Sequence, residues 1–212
     1  MSSKKIAFFV LWLIVLSVGP ITVIKNTPID QFKTNSLITI NFLQRSVGLM
    51  AYTMIFFQII LGAFMNKWIE KLGGWIFRFH LNEGALAYLI ILSHPLLLVL
   101  YNFKAKGLVD PFYVFTDFCL LCKDKTEYFH TLGRISFWMV TVAVAAAKFR
   151  THPLLQRHWR KFHILNYIVF LLVSVHGFLV GSDFRTPPFG YLFPLMIIAA
   201  TTAFWYRRIY SE

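Results

Sequence analysis

The segment His163–His176, HILNYIVFLLVSVH, is an apolar run with a histidine at each end. Upstream, His80–His94 reads HLNEGALAYLIILSH and repeats the arrangement. The separations are 13 and 14 residues. At about 1.5 Å of rise per residue, each pair stands roughly 20 Å apart along a helix, most of a hydrocarbon core of about 30 Å. Two such helices, side by side and pointing the same way, offer two facing histidine pairs, one near each membrane surface. Two imidazoles facing across a gap are what a six-coordinate haem iron requires. The spacing predicts two b haems stacked between the third and fifth helices, held by His80 with His163 and by His94 with His176.

Composition sets the frame. Of 212 residues, 58% are hydrophobic and 14% charged, against about 25% charged in soluble domains. The chain reads as an all-α integral membrane protein, a six-helix bundle with lipid around it. Six apolar segments, roughly 6–24, 46–65, 82–102, 130–148, 162–180 and 188–206, each approach the ~20 residues of a spanning helix. One domain over 1–212 is expected, with no soluble flavin or nicotinamide domain. The first segment reads as a retained helix, since no A-x-A-like cleavage site follows it. The net charge of +12 does not indicate nucleic acid, because the basic residues sit between apolar runs, where they set orientation and meet anionic headgroups. Twelve of the 21 basic residues fall on the side that carries both termini. That side is expected to be cytoplasmic, in a cell (inner) membrane. The third and fifth helices then run outward together, with His80 and His163 at the inner level and His94 and His176 at the outer.

The phase of the two helices differs. Fourteen residues return to within about 40° of the same face, whereas thirteen miss it by about 140°. The fifth helix must bulge, kink or carry His163 on a loosened first turn. Haem propionates call for cations at the membrane surface. Arg78, Arg160 and Lys161 bracket the inner level, and Arg45 opens the second helix at the outer level. Ordinary positive-inside anchoring accounts equally well for the first three; Arg45 lies on the side that rule does not enrich, which favours a place near the outer haem. Ser93 and Ser174 are candidate partners for ligand N–H groups, although serine in a membrane helix often bonds its own i−4 carbonyl. Tyr167 and Phe170 lie between the two levels and could fill that gap or simply pack. Gly177 would ease close approach of a porphyrin. Glu83 reads as a carboxylate at a helix start. His130 reads as a capping or interfacial residue, and His152 and His158 as solvated. Cys119 and Cys122 form a CxxC followed by Lys123, so covalent c-type haem attachment is excluded; a short disulfide and two free thiols both remain open. The loop 103–129 is expected to form a small ordered cap.

Three stretches carry a family resemblance: HLNEGALAYLIILSHPLLL (80–98), GRISFW (133–138) and QRHWRKFHILNYIVFLLVSVHG (156–177). They resemble the ferric reductase-like transmembrane domain, the superfamily of NADPH oxidase and ferric reductase membrane cores and of the haem-binding membrane subunit of bacterial methionine sulfoxide reductase. The resemblance spans about residues 40–206. It implies six helices, two b haems on the histidine pairs named above, and electron flow outward to ferric iron, oxygen or a partner reductase outside the membrane. Electrons would come from a separate flavoprotein (FMN or FAD) or a quinone. Oxidases of the family tend to carry a further histidine one turn past the outer ligand on helix 3. Leu98 stands there, which counts against a dedicated oxygen-reducing site. The reading from another class is a non-redox transporter or scaffold whose histidines bind metal or protons.

Overall fold

The computed structural model describes residues 2–32, 34–121, 123 and 125–210, leaving aside the side chains of residues 29 and 210. Among them are six helices long and apolar enough to cross a membrane, and no strand. The long helices are α1 (Ser3–Lys25), α2 (Ser36–Ala63), α4 (Trp75–Lys106), α6 (Lys125–Lys148), α8 (Leu165–Val180) and α9 (Phe189–Tyr210). Three short ones, α3 (Met65–Leu72), α5 (Tyr113–Thr116) and α7 (Trp159–His163), join or extend them. Large apolar side chains such as Leu13, Ile14, Leu89, Leu195 and Ile198 stay exposed on the outside, where lipid takes the place of a protein partner. The chain is an all-helical integral membrane protein.

Hydropathy alone misplaces several helix starts. α2 begins at Ser36 rather than near residue 46, with the Asn35 side chain accepting from the Leu37 N–H at 3.0 Å as its cap. Arg45 therefore lies inside α2 instead of opening it. α4 begins at Trp75 rather than near 82, just past Gly73, whose φ of 93° turns the chain out of α3. His80 is therefore well inside a helix. The reason is shared: the backbone keeps its helical hydrogen bonds through the headgroup zone, where polar side chains no longer mark an apolar segment. α4 ends on Gly107, φ 69°, whose N–H reaches the Phe103 carbonyl at 2.9 Å.

α2 is the hub, packing along α4 and also against α1, α8 and α9, while α6 packs against α8. Its buried face (Leu49, Tyr52, Ile55, Ile59) meets Val169 and Phe170 of α8 and Phe189, Phe193 and Met196 of α9. The two ends of the bundle are defined by polar ties. At one, Lys4 Nζ reaches the Lys71 carbonyl at 3.4 Å and Arg207 the Gly62 carbonyl at 3.2 Å. At the other, Arg45 of α2 holds Asp183 through Nε at 2.7 Å and Nη2 at 2.5 Å, and Asn26 donates to the same carboxylate at 2.9 Å.

The expected cap is present at the Asp183 end. Asp110 accepts from the N–H groups of Phe112 and Tyr113, both at 3.0 Å, and so starts α5. Trp138 donates to the Phe115 carbonyl at 2.9 Å, and the Cys119 N–H donates to Thr131 at 3.0 Å. Cys119 is disulfide-bonded; Cys122 lies outside the described residues.

Candidate functional site

At the Asp183 end the bundle holds a cavity of about 390 Å³ between α2, α4, α6 and α8. Small-molecule and cofactor sites run from roughly 300 to 1,000 Å³. Three imidazoles line it, His94 from α4, His130 from α6 and His176 from α8. His94 Nδ1 stands 3.0 Å from the Gln44 carbonyl, and His176 Nδ1 2.9 Å from the Phe129 carbonyl. A carbonyl can only accept, so each Nδ1 carries the proton, and each neutral ring has a bare Nε2. A glycine lies against both rings. A Cβ at Gly48 would fall 2.9 Å from His94 Cε1 and Nδ1, and one at Gly133 3.0 Å from His176 Cε1.

The second level lies toward the Lys4 end. The ring centroids of His80 and His163 are 6.4 Å apart and the rings cross at 84°. Imidazoles on opposite sides of one metal ion, with bonds of about 2 Å, place their centroids roughly 6 Å apart. His80 is buried, and among the described residues its Nδ1 has no hydrogen-bond partner. Gln58 donates to the His80 carbonyl at 2.9 Å and also to Glu83. Glu83 is buried in the third turn of α4, not exposed at the helix start. His163 lines a small hollow with Gln58, Gly62, Asn166, Tyr167 and Arg207. It is the last residue of α7, and a tight turn, Tyr167 N–H to the Ile164 carbonyl at 3.1 Å, separates it from α8. The irregularity required by the thirteen-residue spacing lies there.

Between the levels, Tyr52 stacks on Phe170 with centroids 4.8 Å apart, and its hydroxyl meets Ser174 at 3.1 Å. Phe170 is thus core packing in the gap between the two levels; Tyr167 meets Phe204 instead, at 5.2 Å.

The other candidates divide. Arg45 does line the outer cavity. Three of its five N–H groups serve Asp183 and Thr27, leaving two. Arg78, Arg160 and Lys161 are exposed, and the Arg160 guanidinium lies 5.7 Å over the Trp159 ring. A cation that the sequence did not single out, Arg207, lies beside His163 at the inner level. Arg134, buried, also lines the outer cavity; it donates to the Asp117 carbonyl and to Glu127 at 3.4 Å. Neither serine serves a histidine: Ser93 bonds the Leu89 carbonyl and Ser174 that of Phe170. Gly177 faces the Phe184 ring, which occupies the place a Cβ would take. His130 is no mere cap, since its ring lies 6.1 Å from that of His176. His152 and His158 are exposed.

No family model, curated protein or solved structure matches this chain. The resemblance to ferric reductase-like domains stands on the quoted motifs alone. Among the described residues, no three His, Cys, Asp or Glu side chains gather into a protein-only metal site. A porphyrin needs only two axial imidazoles per iron. At the outer level, two imidazoles with Nδ1 tied back into one cavity of about 390 Å³ fit that demand; at the inner level the hollow beside His163 measures about 20 Å³.

Proposed function

We propose that this protein is a haem b membrane electron carrier, taking electrons from a donor on the Lys4 side and delivering them to an acceptor on the Asp183 side. The observation that carries this reading is the pair of outer imidazoles, each donating Nδ1–H to a carbonyl in the wall of one cavity. That bond selects the tautomer whose Nε2 is free to bind a metal and makes the nitrogen more basic. Haem iron, when bound, supplies a one-electron couple and, with two axial imidazoles, no open position for substrate. His80 and His163 would hold the inner group, and His94 and His176 the outer. Arg207 offers a cation at the inner level, and Arg45 and Arg134 offer cations at the outer. Tyr52 and Phe170 exclude water between them.

The Lys4 side carries the larger share of lysine and arginine, which supports placing it in the cytoplasm of a cell (inner) membrane. The donor would be a separate flavoprotein or a quinone, and the acceptor ferric iron, oxygen or a partner reductase, making the protein an oxidoreductase component. The test is a reduced-minus-oxidised visible spectrum of the detergent-purified protein with haem counted per chain. Two b haems are expected, falling to one in His94→Ala or His176→Ala. A chain that binds no haem sinks the reading.

A further inference from the structure

The outer imidazoles reach their carbonyls by the same local device on two different helices. In a helix every Cβ tilts toward the N-terminus, so the side chain at i+4 covers the carbonyl at i. An imidazole that approaches that oxygen from the side must cross the place of the i+4 Cβ. His94 bonds the carbonyl of Gln44 and lies against Gly48; His176 bonds the carbonyl of Phe129 and lies against Gly133. In both cases the glycine is four residues past the acceptor. A methyl at either would sit 2.9–3.0 Å from the ring, so the ring would have to shift by a few tenths of an ångström, lengthening and bending its bond to the carbonyl.

We infer that Gly48 and Gly133 are positioning residues: their missing side chains open the helix walls so that His94 and His176 dock on the Gln44 and Phe129 carbonyls and present Nε2 to the cavity. The role rests on the haem reading above. α2 contains its own control. Gln58 and Gly62 repeat the Gln44 and Gly48 spacing one level down. There a Cβ would stand 3.7 Å from His80 Cε1, an ordinary contact, and among the described residues the His80 Nδ1 makes no hydrogen bond. A methyl at Gly62 has nothing to displace.

The experiment uses detergent-purified, haem-loaded wild type, Gly48→Ala, Gly133→Ala and Gly62→Ala, with EPR of the ferric protein and a potentiometric titration. Gly48→Ala and Gly133→Ala are expected to alter the same one of the two haem signals, the one that His94→Ala removes. Its midpoint should rise, because a ligand without its Nδ1–H bond is a weaker donor to the oxidised iron. The other signal, and the outer signal in Gly62→Ala, should stay unchanged. A role in packing alone would lower thermal stability without moving one midpoint. Should Gly48→Ala fail to fold, Gly133→Ala carries the test from the opposite helix. Unchanged signals in haem-loaded Gly133→Ala, or the same shift in Gly62→Ala, overturn the positioning role and leave the electron-transfer reading standing. A haem-free wild type overturns both.

Discussion

Asp183 is the most consequential carboxylate at the outer end. Its side chain is 4% exposed and that of Arg45 23%, so the two partners are not equivalent. Removing one member of a buried pair costs about 3–5 kcal/mol, because the survivor is left charged and unpaired. Arg45→Ala strands the deeper group and is expected near the top of that range. Asp183→Ala leaves a guanidinium that can turn toward water, so its cost should be smaller, and the double variant should cost less than the two singles summed. Thermal unfolding in one detergent ranks the three; equal losses for both singles would contradict the burial argument. At this scale much was legible in the sequence. His80, His94, His163 and His176 were marked by being polar in apolar runs, and Arg45 by lying on the side that positive-inside anchoring does not enrich. The hydrogen-bond partners were not legible, because backbone carbonyls have no letter. His130 was missed for a related reason: its place in the cavity follows from sharing a helix face with Gly133, a signal visible only once α6 is packed against α8.

Among elements, the junction of α8 with the turn that follows is the tightest. The Phe184 ring fills the space beside Gly177 and packs edge-on to Tyr52 at 5.1 Å. Gly177→Ala is therefore an overpacking change, expected to cost about 1–3 kcal/mol, and Phe184→Leu in the same chain should recover part of it. A Gly177→Ala chain as stable as wild type would mean that the ring moves aside freely. The cap over α6 depends on Tyr113, whose hydroxyl donates to Glu127 at 2.5 Å beneath the Arg134 guanidinium. Burial, then the neighbouring Glu127 carboxylate, raises the Tyr113 phenol above its ordinary range. A raised folded value means that the contribution is intact below pH about 10 and lost as pH climbs past it. Protease nicking between residues 107 and 123 should accelerate in that alkaline window, and Tyr113→Phe should abolish the dependence. The sequence pointed to a small ordered cap over residues 103–129. It could not show that Arg134, which weakens the fourth apolar segment by hydropathy, is the post on which the loop is built.

For the molecule as a whole, six helices long and apolar enough to cross a membrane among the described residues bring Lys4 and Arg207 to one end and leave the α5 cap at the other. In sealed cells, a maleimide that cannot cross the membrane should label Thr116→Cys and spare Ser3→Cys; labelling of both from outside would reject the six-span topology. The bundle's middle has a consequence of its own. Tyr52 and Phe170, stacked and buried with Val169, form an apolar septum between the two levels. A hydrated ion crossing there would have to shed its water shell against aromatic faces. An electron needs neither water nor a path for a nucleus. In the electron carrier proposed above, this core would act as an ionic insulator around the line along which the lightest charge travels without short-circuiting the membrane.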